Sequence, residues 1–163
     1  MTRSSKAIRA SLISSLTALA AVFTLLVKIP TGKGYLNLCD VVIFFAAFTF
    51  NPLIAASCAG LGTALADVIG GYPQWALVSF AVHGLEGLLA GLLARFSKPL
   101  ALAVGVAIVP LGYLALGGLL TGYAVALMEA PLNLLQSLVG AVLGVMVSRS
   151  VKASYPPVYD LLI

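Results

Sequence analysis

The chain has 163 residues, of which 61% are hydrophobic and 9% are charged, and its net charge is +4. Soluble domains carry roughly 25% charged residues, so this composition excludes a soluble globular domain and predicts an all-α integral membrane protein. The length allows about six spans of roughly 20 residues in a single membrane domain, residues 1–163, and leaves no room for a catalytic ATPase domain. The basic residues do not cluster with aromatic ones, so nucleic acid is not a predicted partner.

Apolar runs separated by polar, glycine and proline residues predict six transmembrane helices. The first follows a basic start, but its length of about 20 residues favours a retained helix over a signal peptide. Asn51 and Pro52 form a turn between the second and third spans, which predicts a helical hairpin there. The six predicted spans are 8–28, 38–50, 52–70, 76–95, 99–121 and 127–149.

The basic residues obey the positive-inside rule if both the N-terminus and the C-terminus are cytoplasmic. Only Lys28 and Lys33 then lie outside. This orientation places Asp40 and Asp67 at outer helix ends, where ligand binding and local capping are equally good interpretations. The basic residues on the cytoplasmic side are Arg3, Lys6, Arg9, Arg95, Lys98, Arg149 and Lys152.

Two polar stripes lie on the fourth and sixth predicted helices, because residues at i, i+3, i+4 and i+7 share a helix face. Two such stripes facing each other predict a cavity that opens to the outside. Ionisable groups in a membrane are costly and by default functional, although polar side chains also join helices structurally. The stripes consist of Ser79, His83 and Glu86, and of Glu129, Asn133 and Gln136.

The outer loops at 28–40 and 70–75 contain Tyr35 and Trp75. These aromatic rings would either stack on a flat ligand or anchor the protein at the membrane interface. Cys39 and Cys58 are the only cysteines and lack a CxxC spacing, so the sequence predicts neither a disulfide nor a metal site. No HExxH, GxSxG or P-loop motif occurs, so no enzyme activity and no cofactor are predicted for this chain.

Four short motifs resemble those of the substrate-binding S component of energy-coupling factor (ECF) vitamin transporters. The resemblance covers roughly 34–145 and is strongest to the hydroxymethylpyrimidine/thiamine-precursor type and its pyridoxine-binding relatives. His83 stands where relatives often carry lysine, so a phosphate- or carboxylate-bearing ligand is not expected. The motifs are N-L-x-D at 37–40, A-L-A-D at 64–67, G-L-E-G at 84–87 and E-x-P-x-N-x-x-Q at 129–136.

The resemblance implies a six-helix subunit of a prokaryotic cytoplasmic membrane that captures a vitamin or its precursor from outside. Such subunits associate with a transmembrane coupling subunit and two ATPases that use ATP, and are thought to topple in the membrane to release substrate inward. The resemblance also implies that the first outer loop is a lid. The residues and the resemblance together predict a substrate site made of Glu86, His83, Glu129, Asn133, Gln136, Trp75, Tyr35, Asp67 and Asn37.

Small residues recur at i, i+4 and i+8 in the first helix, at Ala10, Ser14 and Ala18. This strip would let another helix approach closely, either within the chain or from a partner. The resemblance implies that it docks the coupling subunit.

Two other classes of protein remain open from the residues alone. A stand-alone secondary transporter or channel would use Glu86 and His83 as a proton relay and would need no ATPase. A structural or assembly subunit would bind no small molecule.

Overall fold

The computed structural model describes residues 3–30 and 35–155, and in this part of the chain the protein is all-α apart from one short hairpin. The hairpin pairs β1 (Ile29–Pro30) with β2 (Tyr35–Leu36) in antiparallel register. Lys33, one of the two predicted outer lysines, lies outside the described residues. The helices are α1 (Arg3–Leu26), α2 (Cys39–Thr49), α3 (Pro52–Ile69), α4 (Ala76–Leu93), α5 (Lys98–Gly112), α6 (Gly118–Thr121) and α7 (Tyr123–Ser154).

Within residues 3–30 and 35–155, five helical segments are long and apolar enough to cross a membrane. The segment of the second predicted span, α2, has only 11 residues, whereas a span needs about 20. Three statements therefore stay predictions: that the chain has six spans, that both termini are cytoplasmic, and that the chain forms a single domain. The five long segments are Lys6–Leu26, Pro52–Ile69, Pro73–Leu93, Lys98–Thr121 and Tyr123–Ser154.

The junction between α2 and α3 follows from local capping chemistry. The Asn51 side chain accepts a hydrogen bond from the Leu53 backbone N–H at 2.9 Å, and Pro52 occupies the first position of α3. Both features are typical of a helix start, because the first N–H groups of a helix lack partners inside it. The predicted turn at this place is confirmed.

The fifth predicted span is not one regular helix. Pro110 lies inside α5, and a π-helical turn at Tyr113–Gly117 joins α5 to α6. Proline lacks the N–H that would continue the helical ladder, and π turns of this kind occur frequently at functional sites. This turn places the half-buried Tyr113 against Trp75 and His83.

Two glycines of α7 allow it to pack closely on α2, the most buried helix. A Cβ atom at Gly140 would collide with the Asp40 side chain, and one at Gly144 would lie 2.6 Å from the Val41 carbonyl oxygen. The Thr49 hydroxyl donates a hydrogen bond to Ser148 at 2.9 Å near the other end of α2. The close approach of these two helices brings Asp40 next to the polar face of α7.

Candidate functional site

A polar cavity lies between the β1–β2 hairpin, α1, α3, α4, the π-helical turn and α7. The residues that line it are Thr24, Tyr35, Asn37, Thr63, Asp67, Trp75, Ser79, His83, Tyr113, Glu129, Leu132, Asn133 and Gln136. The two polar stripes predicted on the fourth and sixth helices thus meet at one cavity. Helical periodicity was sufficient to find them, because the polar residues of each stripe share a face.

Eight of the nine predicted site residues line this cavity, and Glu86 does not. The Glu86 carboxylate lies behind His83, with Oε2 2.8 Å from His83 Nδ1, and its Oε1 accepts a hydrogen bond from Ser137 at 3.3 Å. The sequence predicts Glu86 in the cavity wall. Its place one turn further along α4 instead makes it a support for His83, which does line the cavity.

Asp40, His83 and Glu86 form a buried cluster of ionisable groups at the inner side of the cavity. Asp40 and Glu86 are fully buried, and His83 is 1% exposed. Asp40 Oδ2 accepts a hydrogen bond from Gln136 Nε2 at 2.7 Å, and Asp40 Oδ1 lies 4.0 Å from His83 Nδ1. The Asp40 carboxylate thus faces α4 and α7, a geometry that does not match the capping role left open by the sequence.

The β1–β2 hairpin is joined to the helices by two hydrogen bonds at the cavity. The Tyr35 hydroxyl donates to Asp67 Oδ1 at 2.7 Å, and the Asn37 backbone N–H donates to Gln136 Oε1 at 2.9 Å. Burial and the adjacent Asp67 carboxylate raise the pKa of Tyr35, so this phenol stays a proton donor across the physiological range. Lys28 Nζ lies 4.7 Å from the centre of the Tyr35 ring.

An aromatic wall forms one side of the cavity. The Tyr113 ring centre lies 5.8 Å from that of Trp75 and 5.8 Å from that of His83. The Tyr113 hydroxyl is 2.7 Å from the Ser79 hydroxyl, within hydrogen-bond distance. Such ring separations are favourable for aromatic pairs, and the rings are tilted against each other by 55° and 64°.

Sequence analysis missed Tyr113, Thr24, Thr63 and Leu132 as cavity residues. Tyr113 follows Pro110 within a glycine-rich segment, and this combination is the signal that the fifth span is irregular. The two threonines each donate a hydrogen bond to a carbonyl four residues earlier at 2.8 Å. Threonines in membrane helices often do so, so nothing in the sequence distinguishes these two.

Glu129 and Asn133 form the outer part of the α7 wall, and both are half-buried. A carboxylate accepts hydrogen bonds only, whereas an amide both donates and accepts. The cavity therefore presents two carboxyl groups, of Asp67 and Glu129, and three amides, of Asn37, Asn133 and Gln136, beside its aromatic wall. This combination suits a small ring that carries amino or hydroxyl groups.

Similarity to known proteins gives the family of this chain. A model of the family described as "ECF-type riboflavin transporter, S component" matches residues 5–153. The thiamine precursor transporter HmpT of Lactococcus lactis subsp. cremoris (strain MG1363) is 33% identical over 141 residues, which are 85% of this chain and 84% of HmpT. A protein of Pyrococcus woesei named "Uncharacterized protein in gap 3'region" is 35% identical over 130 residues, 76% of this chain and 87% of that protein. The chain therefore belongs to the family of ECF-type riboflavin transporter S components.

Proposed function

We propose that this multi-pass membrane protein is the substrate-binding subunit of an ECF-type ABC importer. In this proposal it captures a small heteroaromatic vitamin or precursor at the extracellular face of a prokaryotic cytoplasmic membrane. The observation that carries the proposal is the cavity itself, where an aromatic wall faces the polar side chains of α7. The resemblance to HmpT favours a hydroxymethylpyrimidine-like ligand, with a pyridoxine-like compound as the next choice.

The cavity suggests how such a ring would be held. Trp75 and Tyr113 would contact its face, while Glu129 would accept a hydrogen bond from an amino group and Asn133 would pair with a ring nitrogen or hydroxyl. Gln136 already uses both ends of its amide within the protein, so we assign it a positioning role. In this proposal the β1–β2 hairpin closes the cavity.

The first experiment identifies the ligand. Small molecules released by denaturing the purified protein are analysed by mass spectrometry, and hydroxymethylpyrimidine, pyridoxine forms, thiamine and riboflavin are then tested for thermal stabilisation. The wild type should release or bind one of them, and Glu129→Gln should bind it about 10-fold more weakly because a charged acceptor is lost. Gln74→Ala, in the exposed outer loop, is the control and should bind normally. A wild type that releases nothing and is stabilised by no compound would favour a structural subunit.

The proposal also requires partners, since no P-loop occurs in this sequence to use ATP. The transmembrane coupling subunit and the two ATPases of an ECF transporter would supply the energy. The strip of Ala10, Ser14 and Ala18 is exposed along α1, as a docking surface must be.

Reconstitution in vesicles tests this requirement. Accumulation of the vitamin should depend on the coupling subunit, on both ATPases and on ATP. Accumulation that needs none of these and follows a pH gradient would instead support a stand-alone transporter.

A further inference from the structure

We propose that Cys39, Asp40 and His83 form a binding site for a divalent metal ion of the zinc class, beneath the inner wall of the cavity. Cys39 Sγ lies 3.9 Å from His83 Nε2 and 3.5 Å from Asp40 Oδ2. One potential ligand atom from each residue lies within 4.8 Å of the other two, and all three residues are buried. A tetrahedral zinc ion bound to sulfur at about 2.3 Å and to nitrogen or oxygen at about 2.0 Å requires separations of this order between its ligands.

The His83 imidazole is held in the orientation that a metal ligand needs. Glu86 Oε2 lies 2.8 Å from Nδ1, so this carboxylate favours the tautomer in which Nδ1 carries the proton. The lone pair of Nε2 then points toward Cys39. Metal-binding histidines typically donate their other ring N–H to a carboxylate in this manner.

The two carboxylate oxygens of Asp40 differ in their surroundings. Gln136 Nε2 donates to Oδ2, while Oδ1 receives no hydrogen bond from an N–H or O–H donor among the described residues. The Asp40 carboxyl group also lies against that of Glu86. Two buried carboxyl groups in contact are costly unless they share a proton or bind a cation, and a metal ion would provide that cation.

The charge of the cluster points the same way. The buried carboxyl groups of Asp40 and Glu86 both make their ion-pair contact with the same group, the His83 imidazole. A divalent cation offsets this excess of acidic groups, whereas an additional anion would increase it.

The donor set defines the class of metal. Thiolate, imidazole and carboxylate suit zinc and similar transition metals, whereas magnesium and calcium prefer oxygen ligands only. Three protein ligands leave one tetrahedral position for a fourth ligand such as water. Binding converts the Cys39 thiol to the thiolate and releases its proton.

Cobalt(II) provides a direct test, because tetrahedral cobalt bound to a thiolate has characteristic visible and near-ultraviolet absorption bands. The full-length protein is purified in detergent, stripped of metal and titrated with cobalt(II), then with zinc(II) or magnesium(II). We expect saturation at one cobalt per chain, a thiolate band, displacement by zinc and none by magnesium. Cys39→Ser should lose the thiolate band, whereas Cys58→Ser should keep it, since Cys58 lies in α3 and its thiol donates to the Ala55 carbonyl.

The wild-type titration decides the proposal even if a variant does not fold. A wild type without a saturable thiolate band would show that the cluster is a hydrogen-bond network only. A folded Cys39→Ser variant that keeps the band would place the metal elsewhere and overturn the proposal equally.

This inference is separate from vitamin binding, and the same preparation distinguishes the two. Cobalt binding without stabilisation by any vitamin would support the metal site and contradict the proposed function. Stabilisation by a vitamin without cobalt binding would support the proposed function and contradict the metal site.

Discussion

Gln136 connects the segment after the β1–β2 hairpin to the buried cluster of Asp40, His83 and Glu86. Its carbonyl oxygen accepts from the Asn37 backbone N–H, and its amide nitrogen donates to Asp40. Because the two ends of the amide have different partners, the side chain has only one orientation that satisfies both. This residue therefore connects the outer lining of the cavity to its inner side.

Replacing Gln136 with Glu tests that connection. The substitution keeps the acceptor for Asn37 but removes the donor to Asp40 and places a second carboxylate against it. We expect the free energy of unfolding to fall by about 1–3 kcal/mol, measured by chemical denaturation in detergent. Gln74→Glu makes the same chemical change at an exposed position and should change stability little. Equal stability of the two variants would show that the Gln136 hydrogen bonds contribute nothing measurable.

At the scale of residues, the sequence identifies groups that share a helix face but cannot determine their depth. His83 and Asn133 were predicted by helical spacing, and both line the cavity. Glu86 has the same spacing yet lies behind His83, where its carboxylate accepts a hydrogen bond from Ser137 of α7. The environment of Asp40 depends on α7 as well, nearly one hundred residues away in the sequence.

At the scale of elements, the packing of α2 against α7 determines the position of the buried cluster. Gly140 lies directly against Asp40, with no room for a side chain. A shift of α7 away from α2 would lengthen the bond between Gln136 and Asp40. The cluster thus depends on the close approach of α2 and α7 that glycine makes possible.

A pair of glycine substitutions tests this dependence. Gly140→Ala should destabilise the protein by about 1–3 kcal/mol through overpacking. Gly84→Ala, in α4, is the matched control, because a Cβ there would meet its nearest neighbour at an ordinary 3.6 Å; alanine should be neutral or stabilising, since it favours helix by up to about 1 kcal/mol. Thermal denaturation in detergent measures both. A Gly140→Ala variant as stable as Gly84→Ala would contradict the close packing.

The exposed strip on α1 gives a prediction about assembly. Ser14→Phe should abolish uptake by the complete transporter while leaving ligand binding by the isolated subunit intact, because a bulky side chain prevents close approach of a partner helix. Leu19→Phe, at another exposed position of α1, is the control and should transport normally. Loss of ligand binding in Ser14→Phe would indicate that the strip supports the fold instead.

The observed helix boundaries show which local sequence signals are sufficient to predict where a helix begins or ends. The start of α3 was predicted because Asn51 and Pro52 provide a cap within the sequence itself. The last helix is longer than the predicted 127–149, since it begins at Tyr123 and ends at Ser154. Hydropathy identifies only the apolar part of a helix, so the predicted span stops before the polar residues that follow 149. The π-helical turn at Tyr113–Gly117 was not predicted, because it depends on contacts with α4 as well as on Pro110.

At the scale of the whole molecule, the positive-inside rule predicts which side faces the cytoplasm. Cysteines introduced as Gln74→Cys and Phe96→Cys lie in exposed loops at opposite ends of α4. In intact cells a membrane-impermeant maleimide should label the first, and the second only after permeabilisation. The native Cys39 and Cys58 are buried, so the unsubstituted protein is the blank. The reverse pattern would place the cavity on the cytoplasmic side and contradict capture from outside.

The unequal lengths of α2 and α7 have a consequence for the surrounding lipid. With 11 residues, α2 is about 16 Å long, and with 32 residues, α7 is about 48 Å long. The hydrocarbon core of a bilayer is about 30 Å thick. Most residues of α2 are buried inside the protein, so neighbouring helices and not lipid surround this short helix. The longer α7 is largely exposed and must tilt or project from the hydrocarbon core. We therefore expect bilayer thickness to influence how the subunit is oriented in the membrane, through the tilt of α7.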